Sequence, residues 1–146
     1  MGWQQGLYEV KHPDKYAGDL TKVTYRSSWE LESFRFCDNN PNVIQWSSEE
    51  IAIPYSKPTP SGSFKPAKYY PDLYIEYINT KEKRCKVLIE IKPTKQTRPS
   101  RARNPKTKMF ENQAYLINEL KWEAARNWCL VKGIEFRIIT ENDQFN

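Results

Sequence analysis

The sequence predicts a single α/β domain whose elements run helix, three strands, helix, strand. Three observations predict it. Residues 69–78 and 85–91 are rich in Tyr, Ile, Val and Leu and flank the polar stretch Asn79–Arg84, the pattern of two paired strands. Residues 108–132 place Phe110, Ala114, Ile117, Leu120, Ala124, Trp128 and Val131 at spacings of three and four, which makes one apolar helical stripe. After Gly133, a natural helix stop, Ile134–Thr140 returns to a strand pattern. A chain of 146 residues has room for one such domain and not for two sizeable cores.

The elements follow in order. Residues 1–26 are mixed and give no clear element, and the lone His12, with no second His or Cys nearby, reads as a surface residue rather than a metal ligand. Residues 28–38 read as a helix with Ser27 as its N-cap, because Ser27-Ser28-Trp29-Glu30 has the spacing of a capping box. Asn39, Asn40 and Pro41 end it. Val43–Trp46 is a short extended piece, residues 50–55 a strand, and residues 56–67, with Pro58, Pro60, Gly62 and Pro66, a loop. The two paired strands, the long helix and the closing strand complete the order.

Composition excludes several classes. Hydrophobic residues make up 38% and aromatic residues 14%, too much apolar material for a disordered tail. No stretch is apolar over the length of a membrane span, and Met1 is not followed by an apolar signal core. Cys37, Cys85 and Cys129 are odd in number and far apart, which fits neither a disulfide framework nor a CxxC zinc site and suggests a reducing cytoplasm. The net charge of +5 is local. Lys92, Lys95, Arg98, Arg101, Arg103, Lys106 and Lys108 occur with no acidic residue among them, and the chain without these seven carries −2. Pro93, Pro99 and Pro105 interrupt the segment, so residues 92–108 read as an extended exposed loop. Two readings stand for it: a solvated loop, or a clamp for a polyanion such as a phosphate backbone. No basic amphipathic helix accompanies it, which disfavours an anionic membrane.

The strand pair gathers carboxylates. A turn centred on Lys81 pairs residues whose numbers sum to 162, which sets Glu76 opposite Lys86, Tyr74 opposite Leu88, Asp72 opposite Glu90 and Tyr70 opposite Lys92. Asp72, Glu90 and Lys92 then share one face. The Glu76–Lys86 pair favours this register, whereas Asp72 and Glu90 repel unless a proton or a cation lies between them. A divalent cation such as Mg²⁺, which takes one or two carboxylates and keeps waters and substrate phosphate, resolves the conflict. A solvent-facing hairpin in which Lys92 neutralises Glu90 is the plainer alternative.

Pro71-Asp72 followed by Glu90-Ile91-Lys92 resembles the PD-(D/E)xK nuclease superfamily. The surroundings strengthen the likeness: Tyr25-Arg26-Ser27-Ser28-Trp29-Glu30, Asn40-Pro41-Asn42-Val43, Trp46-Ser47-Ser48-Glu49-Glu50, Leu88–Pro93, and the run from Lys121-Trp122-Glu123-Ala124-Ala125 through Cys129 and Gly133 to Phe136–Glu141. Over residues 23–142 these look like the head completion nucleases of T-even-like tailed phages. More distantly they are similar to the endonuclease subunit of bacterial cut-and-paste transposition machinery. The resemblance implies a restriction-endonuclease-like core, a central mixed β-sheet flanked by helices in the order αβββαβ, filling residues 1–146 as one nuclease domain.

It also implies a Mg²⁺-dependent DNA endonuclease, with Mn²⁺ able to substitute, acting in the host cytoplasm during phage assembly after packaging and associated with the virion or with portal, head or neck proteins. Carried over by position, Asp72 and Glu90 hold the metal with the Ile91 carbonyl as a further ligand, and Lys92 serves the attacking water. The acidic residue of the first helix falls on Glu30, whose position also suits a helix cap. Gln113 falls where some superfamily members contact phosphate, although its Gln113-Ala114-Tyr115 spacing departs from theirs. Glu49 and Glu50 fall where transposition relatives carry Gln. Lys95, Arg98, Arg101, Arg103, Lys106 and Lys108 are expected to hold double-stranded DNA by its backbone, without sequence preference. The rivals are a non-catalytic protein that binds DNA ends or the portal, and an RNA-processing or general nucleic-acid-binding module.

Overall fold

The computed structural model describes residues 5–140 and residue 143; the expected N-terminal Met1–Gln4 and the end of the expected core at 141–142 lie outside the described residues. A two-strand ribbon of β1 (Gly6–Leu7) and β2 (Thr24–Tyr25) precedes helix α1 (Ser28–Asn39). There follow β3 (Val43–Ser48), β4 (Ile53–Pro58), β5 (Phe64–Tyr69), β6 (Leu73–Ile78), β7 (Arg84–Ile91), helix α2 (Pro105–Lys132) and β8 (Glu135–Ile139). The central sheet runs β3-β6-β7-β8, antiparallel except for the parallel β7/β8 pair. With the β1/β2 and β4/β5 ribbons set aside, the order is αβββαβ, and the mixed sheet and flanking helices match expectation.

Alternation along the strands builds two cores. Odd-numbered Leu73, Ile75, Val87 and Ile89 face α1, where they meet Phe34, Cys37, Trp46 and Val23. Even-numbered Leu88 joins Ile53, Tyr69, Trp122, Ala125 and Cys129 on the α2 side, with Tyr74, Phe136 and Ile138 packed around them. Trp46 stands at the centre of the first core, edge-on to Tyr8 and Tyr16. Nearby, the buried Asp38 accepts hydrogen bonds from Tyr8 Oη, Lys11 N and His12 N and so fixes the N-terminal segment on α1. His12 itself is exposed, as the sequence suggests.

Several expected boundaries move for physical reasons. The expected strand over residues 50–55 and the loop over 56–67 are instead the β4/β5 ribbon, and the first strand of the sheet is Val43–Ser48. Pro54, Pro58 and Pro66 are accommodated because they occupy alternate pairs, Pro54↔Lys68, Ser56↔Pro66 and Pro58↔Phe64. The next pair outward, Thr59 and Ser63, is bonded from Thr59 N to Ser63 O, so the proline positions point their nitrogens away from the partner strand. The expected strand over 69–78 is also broken: Tyr69 closes β5, and Pro71 and Asp72 precede β6.

Helix α2 begins three residues before the expected 108, because Pro105 sits at its first position, where no N–H is needed. Asn104 caps it, accepting from Lys106 N and Thr107 N. Its packed face also differs from the expected stripe. Asn118, Trp122, Ala125 and Cys129 are buried, whereas Phe110 is 73% and Val131 87% exposed. Ile117, Leu120, Ala124 and Trp128 are only partly covered. Apart from Trp122, the small and polar residues that mark the true face carry little hydrophobic signal.

Candidate active site

The expected register is the observed one: Glu76↔Lys86, Tyr74↔Leu88 and Leu73↔Ile89 all sum to 162. The Glu76 carboxylate nevertheless bonds to Arg84 at 2.6 Å and accepts from Tyr74 Oη, so Arg84 is its charge partner rather than the facing Lys86. The ladder stops at Leu73, one residue short of Asp72, and Tyr70 and Lys92 are not paired across it. Two backbone contacts hold Asp72 in place. Its carbonyl accepts from Glu49 N at 3.3 Å, and its carboxylate accepts from Ile91 N at 2.7 Å. The second bond docks Asp72 directly against the end of β7, beside Glu90.

Glu90 is 5% exposed, so the solvent-facing hairpin is excluded. The Lys92 ammonium lies 3.4 Å from Glu90 Oε2 and is itself three-quarters buried. Burial, and then the Glu90 charge, hold the Asp72 carboxyl well above the ordinary carboxylate range, against the opposing bond from Ile91 N–H. This is the electrostatic signature of two carboxylates sharing one site.

Glu30 combines both of its expected roles in part. Ser27 accepts from Glu30 N, and the Glu30 carboxylate reaches back to Arg26 N at 2.7 Å, one residue before the box donor. Its carboxyl is also raised, by burial first and further by Glu49 and Glu90, so it stands within the field of the acidic pair. Glu49, at positive φ, pairs with Arg26 at 3.1 Å. Glu50 turns away and accepts from Tyr16 Oη and Asp19 N, packed so tightly on Gly18 that a Cβ there would collide with its carboxyl group. Gln113 is exposed.

The basic segment is less loose than expected. Thr94–Thr97 forms a 3-10 turn, and Ser100 ties the chain to α2 through Asn112 and Glu111. Lys106 and Lys108 stand on the first turn of α2 instead of in a loop. Lys95, Arg101, Arg103, Lys106 and Lys108 are exposed, whereas Arg98 is half-buried, with its Nε unpartnered among the described residues.

Sequence reasoning missed the opposite wall. Tyr69 is buried with its hydroxyl against Glu90 and Trp122 but without a well-formed hydrogen bond to either. Trp122 Nε1 is likewise buried and unpartnered among the described residues. The only sequence signal was position: Tyr69 lies three residues before Asp72.

No group of three or more His, Cys, Asp or Glu residues among the described residues could form a metal cage. The donor set is a carboxylate pair, Glu90 buried and Asp72 half-buried, with a lysine, which suits an ion that keeps water and substrate ligands. No helix among the described residues is long and apolar enough to cross a membrane.

Comparison with known proteins places this geometry. The head completion nuclease of Enterobacteria phage T4 is 36% identical over 143 residues, covering 94% of this chain and 91% of the phage protein. The family described as TnsA-like endonuclease N terminal matches residues 40–141, which include Asp72, Glu90, Lys92 and the whole of β3 to β8. On both grounds the chain belongs to the TnsA-like endonuclease family, with a restriction-endonuclease-like fold.

Proposed function

We propose that the protein is a metal-dependent DNA endonuclease of phage head completion that hydrolyses phosphodiester bonds after packaging, largely without regard to sequence. The observation that carries this reading is the Asp72–Glu90 pair. The half-buried Asp72 carboxylate is fixed by a backbone bond beside the buried Glu90 and driven toward protonation, in a chain related to a head completion nuclease. Like charges are brought together at such a cost where a cation is to be bound.

The residues divide the work. Asp72 and Glu90, with the Ile91 carbonyl at the end of β7, would hold Mg²⁺, or Mn²⁺ in its place. When bound, the ion supplies Lewis-acid charge toward a phosphate oxygen and acidifies water. Lys92 extends over the same corner and donates hydrogen bonds to the attacking water or to charge growing on the phosphate. Glu30 reaches the site through water and lends negative potential. The exposed cations from Lys95 to Lys108 neutralise flanking phosphates, which gives affinity with little base preference. In-line attack would leave a 5′-phosphate.

Supercoiled plasmid tests the proposal. With Mg²⁺ or Mn²⁺ the protein should produce nicked circles that DNA ligase reseals, since ligase requires a 5′-phosphate; EDTA should stop the reaction. Binding without cleavage in either metal would remove the enzymatic reading and favour a DNA-end or portal-binding protein.

A further inference from the structure

Lys121 stands on α2 one residue before the buried Trp122, on the side of the helix that meets β4. Its ammonium lies 5.7 Å from the centre of the Tyr69 ring and 6.0 Å from that of Tyr55. These two faces hold it without a counter-ion, for Lys121 forms no salt bridge among the described residues. Tyr69 is the residue whose hydroxyl adjoins Glu90, so the ring that carries Lys121 is also a wall of the acidic corner. The charges of Lys92 and Glu90 both act on the ammonium, and half-burial together with Lys92 and Lys57 lowers its proton affinity. A partly dried cation set against aromatic faces, repelled by a second cation and in direct ion pair with none of the nearby carboxylates, is arranged for an anion that arrives later.

Resting on the nuclease reading, we propose that Lys121 is a substrate-binding residue of this site, donating to a backbone phosphate oxygen of the strand that lies over Asp72 and Glu90. Lys92 approaches the strand from β7 and Lys121 from α2, so the phosphate is gripped from two walls. The exposed basic segment, by contrast, meets phosphates farther along the duplex. A long helix anchored by Trp122 and Ala125 fixes Lys121 more firmly than a loop could.

The test is binding of a short fluorescent DNA duplex to the full chain in EDTA, as a function of salt, for wild type, Lys121→Met, Lys121→Gln and Lys121→Arg. Thermal melts of each variant report folding. Lys121→Met keeps most of the apolar stem over the tyrosines and removes the charge; Lys121→Gln does the same if Met proves unstable. The expected result is about tenfold weaker binding for Met or Gln, the loss of one charge-assisted contact. The slope of log affinity against log salt should become shallower by about 0.9, one phosphate fewer. Arg should retain both. Wild-type affinity and slope in the Met and Gln variants would overturn the proposal. So would an Arg variant as weak as Met, because packing rather than charge would then be at stake. If wild-type protein neither binds nor cleaves DNA, the nuclease reading fails first; if it does both and Met behaves as wild type, only the role of Lys121 fails.

Discussion

Replacing Asp72 by Asn removes one charge from the carboxylate pair and changes almost nothing else. The amide oxygen can still accept from Ile91 N, now at 2.7 Å, and the amide nitrogen can donate toward Glu90. In the metal-free protein the wild-type Asp72 carboxyl is raised above its unfolded value, by burial and then by Glu90. Such a group favours the folded state most below its unfolded pKa, and the contribution is lost as pH rises through the folded value. At mildly alkaline pH the pair is therefore a standing cost. A tenfold change in proton affinity corresponds to about 1.4 kcal/mol, and a split of roughly one and a half to three such steps between carboxylates sharing a site gives an expected relief of about 2–4 kcal/mol. For a chain of this size that is a rise in Tm of roughly 5–10 °C in EDTA. Melts at pH 6 and pH 8, with EDTA or Mg²⁺, would read it. The gain should be larger at pH 8, and Mg²⁺ should stabilise wild type but not Asp72→Asn. A variant less stable than wild type in EDTA, or one stabilised by Mg²⁺ as much as wild type, would refute the idea that the pair is a strained cation site.

Three other perturbations probe separate parts of the account. Changing Arg101, Arg103, Lys106 and Lys108 together to Ala should make the salt slope of DNA binding shallower by about 3 to 4, one phosphate contact per cation, as measured by anisotropy across a salt series. Trp46→Ala, at a fully buried position, should cost about 3–5 kcal/mol in chemical denaturation. Burial alone would raise the Asp38 carboxyl, but the bonds from Tyr8, Lys11 and His12 outweigh it and hold the group below its usual value. Its contribution is therefore present above the unfolded pKa and lost as pH falls through the folded one. Asp38→Asn should thus be less stable than wild type at neutral pH, with the gap closing in acid titrations followed by circular dichroism.

The parts of this fold that can be read from sequence are those in which local pattern and tertiary need agree. The turn at Lys81 and the alternation in residues 73–78 and 85–91 settle a register that holds from Leu73 to Ile78, and Asp72, one residue beyond it, reaches the end of β7 through Ile91 N instead of a ladder pair with Glu90. Ser27 and Gly133 mark helix ends because caps depend on single residues. The β4/β5 ribbon escapes such a reading: its prolines signal a loop, and only their even spacing reveals that all of them avoid the bonded pairs. Pro105 illustrates the same ambiguity, since it interrupts a strand or a helix interior but opens α2. The buried face of α2 is hidden because Asn118 and Cys129 carry little apolar signal while Phe110 carries much and is exposed. Lys121 and Trp122 come from a segment that meets Tyr69 and Asp72 only in the folded chain, so no spacing joins them to the site.

Plasmid cleavage by wild type and by Glu90→Ala, in Mg²⁺ and with circular dichroism to confirm that both are folded, tests most directly whether the buried carboxylate pair is the reaction centre. The account predicts nicking by wild type and a loss of at least about a thousandfold in the folded variant, on the scale of removing a principal source of electrostatic stabilisation. A folded Glu90→Ala protein that still nicks DNA within a few-fold of the wild-type rate would place the chemistry elsewhere.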